Sequence, residues 1–170
     1  MHLHFRPWTE PTLLVVDPKN PDVVFVGTPS DGLWRTQDGG SSWSLVYPQE
    51  LGQYSVFNAK LRSVPGKSGH LFFTAGPLDG VDAPFKHGID GGSSWQDIPD
   101  VTRVLSFGFG KSQTTAGYPT VFIAGKVKGV YGVWRSSDDG KDDTTAIQAV
   151  VNAISSQVVG VLFPAGGVGL

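Results

Sequence analysis

The side chains best suited to chemistry in this 170-residue chain are carboxylates set among glycines. Three of them recur in one phrase. It reads Thr36-Gln-Asp38-Gly-Gly40-Ser-Ser-Trp43, then Gly88-Ile-Asp90-Gly-Gly92-Ser-Ser-Trp95, then Ser136-Ser-Asp138-Asp-Gly140-Lys-Asp-Asp143. Asp31, Glu50, Asp79, Asp82, Asp97 and Asp100 lie between apolar runs. Two carboxyl groups about 6.5–9.5 Å apart can act as general acid and base in an inverting hydrolysis of a glycosidic bond. Spacing within the phrase argues for another use of its own aspartates. Asp-x-Gly between two β-prone runs is a hairpin signal, because a short carboxylate accepts backbone N–H groups and Gly supplies φ > 0. A Trp three residues later folds back over the turn and buries on the order of 150–250 Å². A structural role is therefore expected of Thr36, Asp38, Gly40, Trp43, Asp90, Gly92 and Trp95. The same is expected of Ser136, Asp138 and Gly140 in the third copy, where Asp143 replaces the Trp.

A recurrence at about fifty residues points to repeated β-units. The apolar pattern up to Ser136 agrees, with short runs bounded by Gly, Pro, Asn or Asp, several alternating with period two. Strands are expected at 13–17, 23–27, 32–36, 44–47, 59–64, 71–75, 85–87, 96–98, 101–108, 120–124 and 130–135. Then the period changes. Ile147, Val150, Val151 and Ile154 fall at i, i+3, i+4 and i+7, one face of a helix over residues 144–157 that Asp142, Asp143 or Thr144 would cap. A strand, Val158–Phe163, and a Pro164-Ala-Gly-Gly turn follow.

The repeated phrase is the Asp-box, and residues 12–140 resemble the Asp-box (BNR, sialidase-like) β-propellers. Leu61–Leu71, Val104–Lys111 and Tyr118–Ser136 resemble, in the same order, the C-terminal blades of xyloglucanase-type glycoside hydrolases. That resemblance implies a secreted enzyme type with two seven-bladed propellers that cleaves β-1,4-glucan by inversion. The family's catalytic aspartates sit outside the matched segments, so no catalytic residue is carried over. Residues 142–166 resemble the opening of pectate-lyase-like β-helices, including phage tailspikes, where a capping helix leads into a solenoid. A solenoid rung relies on its neighbours to bury its faces, and one rung alone cannot do so.

Other chemistries find little support. A net charge of −2 gives no electrostatic reason to expect nucleic acid or an anionic membrane as partner. No segment approaches the roughly 20 apolar residues of a membrane-spanning helix. The first residues, Met1 to Trp8, lack an apolar core, so a signal peptide is expected to be absent or removed, and secretion rests on the resemblance. Zero cysteines exclude disulfides and thiol chemistry. His2 and His4 share the only metal-like spacing and lack completing ligands, so no metal and no cofactor are expected. Arg35 and Arg135 hold the same place beside successive Asp-boxes and read as repeat features, not as a carboxylate clamp. Aromatic residues are the better lead. Trp34, Trp43, Trp95 and Trp134 are assigned to the core, whereas Trp8, Tyr54 and Tyr118 are candidates for stacking on a sugar ring.

The expected protein is all-β, a partial β-propeller of about two to three Asp-box blades with a short C-terminal α-helix and strand. Its divisions are an N-terminal arm (1–11), the blades (12–141) and a helix–strand tail (142–170). The expected function is a carbohydrate-associated, non-catalytic module resembling part of a secreted β-glucan hydrolase, its partner a polysaccharide. One alternative is a glycan-recognition piece of a tailspike-like protein; another is an active endo-β-1,4-glucanase. Two and a half blades cannot close a ring of four to eight, so self-association is expected to complete a propeller or a trimer.

Overall fold

Runs that alternate apolar with polar residues and end at Gly, Pro or Asp become strands in the computed structural model, which describes residues 13–28, 31–49, 51, 59–75, 82–112, 114 and 117–135. The strands are β1 (Leu13–Val16), β2 (Val24–Thr28), β3 (Gly32–Thr36), β4 (Ser44–Tyr47), β5 (Lys60–Ser63), β6 (Leu71–Thr74), β7 (Phe85–Gly88), β8 (Gln96–Asp97), β9 (Val101–Gly110), β10 (Thr120–Val127) and β11 (Val130–Arg135). Each pairs with its sequence neighbour to give three antiparallel sheets, β1-β2-β3-β4, β5-β6-β7-β8 and β9-β10-β11. The described chain is thus all-β and forms a partial β-propeller: two four-stranded blades and three strands of a third. The N-terminal arm, the third Asp-box and the expected helix–strand tail lie outside the described residues, as do Trp8, Tyr54, Glu50 and Asp79.

All the expected strands up to residue 135 are present. The largest departures are β9 and β10, which pass their expected ends at Gly108 and Ala124. A bulge between Ala124 and Gly125 lets their ladder continue. Only glycine fits there, because a Cβ on Gly125 would collide with the Arg103 carbonyl.

The sheets stack face to face around two cores. Phe25, Leu33 and Tyr47 of the first sheet meet Leu61, Leu71 and Phe73 of the second. Phe72, Phe85 and Ile98 of the second meet Val104, Phe107, Val121, Ile123 and Trp134 around the third. Strand β6 reads Leu-Phe-Phe-Thr and is buried at every position. Successive side chains of a strand leave on opposite faces, so Leu71 and Phe73 fill one core and Phe72 the other. Each such buried Phe or Leu contributes roughly 1.5–3 kcal/mol relative to an exposed one.

The four tryptophans assigned to the core divide. Trp134 is buried and its indole N–H donates to the Gly125 carbonyl at 3.1 Å. Trp95 is half-buried against the first core. Trp34 in β3 and Trp43 in the turn before β4 are also only half-buried, and neither joins the core between the first and second sheets.

Candidate functional site

The Asp-box turns are networks of short hydrogen bonds. In the first, Asp38 Oδ1 accepts the Thr36 hydroxyl and the Ser42 N–H, each at 2.8 Å. Its Oδ2 accepts the Ser42 hydroxyl at 2.6 Å, and Thr36 Oγ1 accepts the Gly40 N–H at 2.9 Å. The Ser42 hydroxyl, then its N–H, then Thr36 hold the Asp38 carboxyl down at about 2. In the second turn Asp90 accepts the Ser94 N–H at 2.9 Å and the Ser94 hydroxyl at 2.7 Å. These bonds, the hydroxyl's first, hold it below the usual carboxylate range. The Trp43 ring lies over Gly40 and the Trp95 ring over Gly92, where an added Cβ would sit 3.9 and 3.1 Å from the indole. Gly39, Gly40, Gly91 and Gly92 all have positive φ, so the turn geometry itself requires them.

Three other described loop acids pair with lysines. Lys86 pairs with Asp97, Lys126 with Asp82 at 3.1 Å and Lys128 with Asp100 at 3.6 Å. The Asp31 N–H donates to Thr28 Oγ1 at 3.0 Å.

Two side chains join successive blades at their turns, and sequence reasoning missed one of them. Arg35 Nη1 donates to the Gly91 carbonyl at 2.8 Å and lies 3.2 Å from the Ser93 hydroxyl. The repeat had marked Arg35 without saying what it holds. Asp17, which carried no signal beyond an Asp-Pro turn, accepts the Gly69 N–H at 2.6 Å and the Ser68 hydroxyl at 3.1 Å from the next sheet. Burial raises the Asp17 pKa, but these bonds and those from the Lys19 and Asn20 N–H groups outweigh it and leave the group below its ordinary value.

Two places could receive a ligand. The first is an open groove of about 650 Å³ between β1 and β5, lined by Leu13, Val15, Leu61, Lys60, Arg62 and Phe109 among others. Burial, then Arg62, lowers the Lys60 pKa. Apolar walls with two cations suit binding, and no Asp or Glu stands among the lining residues. The second is a cluster around Tyr118, whose hydroxyl lies 3.1 Å from both His70 Nδ1 and His87 Nε2. His87 stacks on Phe72 with centroids 4.3 Å apart, and the Lys67 ammonium sits 5.9 Å from the Tyr118 ring centre. A hydroxyl so placed can donate to one imidazole while accepting from the other. His70 and His87 stand 17 positions apart in the sequence, with no metal-like spacing. The β6–β7 register, which sets Phe72 opposite His87, is the signal that brings them together.

No protein-family model matches the chain. It is 30% identical to a xyloglucanase of Paenibacillus sp over 127 residues, which is 75% of this chain and 12% of that protein. It is 32% identical to Xyloglucanase Xgh74A of Acetivibrio thermocellus over 102 residues, 56% of this chain and again 12% of the relative. Among solved structures it is similar to a GH74 enzyme of Niastella koreensis, with a TM-score of 0.59 and 28% identity over 75% of this chain and 18% of that one. The chain therefore spans about an eighth of the length of the curated relatives it matches.

Proposed function

We propose that the chain is a carbohydrate-associated set of propeller blades of the xyloglucan-hydrolase type, acting as scaffold and glycan contact without performing the acid–base chemistry. One observation carries this reading: the 127-residue match to a xyloglucanase falls on a chain in which Asp38 and Asp90 serve turns and Asp82, Asp97 and Asp100 pair with lysines. In it Asp38 and Asp90 are turn staples, and Asp138 is a third staple that lacks its Trp. Tyr118 is the glycan-contact residue, an aromatic ring with imidazoles beside it to meet sugar hydroxyls. The ligand is a β-glucan of the xyloglucan class, which places the protein outside the cell. The blades end near residue 141 and the tail after it forms a separate unit.

Isothermal titration with xyloglucan oligosaccharides, alongside a reducing-sugar assay on the polymer, tests the proposal. Saturable binding lost in Tyr118→Ala, with no sugar released, is the expected result. Turnover abolished by replacing any one of Asp31, Asp82, Asp97 or Asp100 would overturn it.

A further inference from the structure

We propose that His70, His87 and Tyr118 form a binding site for one divalent transition-metal ion of the Zn²⁺ kind, its protein ligands being two imidazoles and the phenol oxygen. The inference goes beyond the glycan reading, since the ion takes the Tyr118 hydroxyl whereas a sugar needs only the ring.

The fold assembles the set from two sheets. His70 stands just before β6, His87 lies in β7 and Tyr118 stands two residues before β10. Phe72 is in register with His87, and His70 is two residues from Phe72, so both imidazoles leave the same face of the second sheet. The β9–β10 loop of the third sheet brings Tyr118 to them. Phe72 is 0% exposed and stacks on His87 with the planes 16° apart, which fixes that ring in place. Spacing along the chain hides such a set. Among the described residues no three His, Cys, Asp or Glu gather to hold an ion, so it is the phenol that makes this cluster a tripod.

Two measures test whether one ion can touch all three donors. The Tyr118 hydroxyl lies 3.1 Å from His70 Nδ1 and 3.1 Å from His87 Nε2. Ligand atoms at the bond lengths of a tetrahedral zinc stand about 3.3 Å from one another, so both edges nearly match. Two imidazoles bound end-on to one ion have ring centres at most about 6.4 Å apart. Here the centres are 6.0 Å apart. All three side chains are half-buried, so an ion and a completing water can reach them from solvent. Imidazole suits zinc, copper and nickel, and three protein ligands with a fourth position left to water is a recurrent zinc arrangement.

The proton balance is simple. In the metal-free form the phenol donates to one imidazole and accepts from the other. On binding, the phenol proton leaves to solvent, and each neutral imidazole turns a lone pair to the ion and keeps its N–H on the other nitrogen. Lys67, 5.9 Å from the Tyr118 ring centre, favours the phenolate and opposes the ion. Asp17, whose carboxylate is held by the Ser68 hydroxyl and the Gly69 N–H beside His70, offsets that repulsion.

The test is isothermal titration of the full chain with Zn²⁺ alone, with His2→Ala and His4→Ala in every sample so that the terminal pair contributes nothing. One ion per chain is expected, with about one proton released near neutral pH. His70→Gln and His87→Gln should each weaken binding by at least the roughly 10–100-fold that follows loss of an outer-shell partner. Tyr118→Phe keeps the ring, so it should cost zinc affinity on the same order and leave the glycan contact in place. With both histidines present, ring-nitrogen NMR should show the His70 Nδ1 and His87 Nε2 signals shifting together with zinc, a readout that needs no ligand variant to fold. No saturable binding, or binding indifferent to either histidine, overturns the site. Binding lost with the histidines but unchanged in Tyr118→Phe overturns the three-donor set. Zinc binding without xyloglucan binding overturns the glycan reading and supports this one, and the converse result overturns this one alone.

Discussion

The Arg35 guanidinium lies 2.8 Å from the Gly91 carbonyl oxygen, 56 residues further along the chain, and so fastens the hairpin of one blade to the turn of the next. The bond is charge-assisted and partly buried, which puts it in the class worth about 1.5–3 kcal/mol. Arg35→Met keeps most of the apolar stem and removes the tie. Its unfolding free energy from urea titration should fall by that order with an unchanged slope. Lysine at the same place offers a point charge without the planar fork and should recover only part of the loss.

Acid should weaken the first Asp-box in a defined window. The Asp38 carboxyl is held at about 2 against an ordinary 3.8, first by the Ser42 hydroxyl and N–H. A depressed carboxylate contributes stability that is complete above the unfolded value and is lost as pH falls through the folded one. Asp38→Asn has no proton to take up. The gap in urea midpoint between wild type and this variant should therefore be constant above pH 4 and close between about pH 4 and pH 2. A gap that stays constant to pH 2 would sink the assignment.

Trp95 and Trp43 occupy the same place in two copies of one phrase and should respond differently to alanine. The Trp95 ring lies 5.5 Å from Phe73 and 6.4 Å from Tyr47, centroid to centroid, so it bridges the second and first sheets. Removing a packed Trp costs about 3–5 kcal/mol, and a half-buried one should fall near the lower end. Trp43 covers Gly40 and joins neither core, so Trp43→Ala should cost less than half as much. Thermal or urea unfolding of the two variants measures the difference.

The strands and turns were legible because both are local. Period-two runs end at glycines, and an Asp at fixed distance from a Gly and a Trp has one economical use. Register with the next sheet was not local. Nothing around Asp17 points to Gly69, and the phrase containing Trp43 is as complete as the one containing Trp95. What separates the two tryptophans is whether another sheet lies in front of them, which is a property of the stack. Trp34 shows the same limit: its neighbours in sequence match those of Trp134, yet one is half-buried and the other closed over. The histidines around Tyr118 were missed because a hairpin and a loop from a different sheet must meet before the cluster exists.

That cluster makes a prediction whose sign can be checked from two sides. Burial lowers the His70 pKa below its ordinary 6.5, with His87 and then Lys67 adding repulsion, while Asp17 opposes them. A base whose folded pKa is depressed contributes stability above its unfolded value and loses it as pH falls through the folded one. Stability should therefore decline below pH 6.5, and His70→Gln should flatten that decline. NMR titration of the His70 ring resolves the contributors. Lys67→Met removes a positive neighbour and should move the midpoint up, whereas Asp17→Asn removes a negative one and should move it further down. Shifts in the same direction would mean that the ring responds to a change of packing, and the electrostatic account of the cluster would fail.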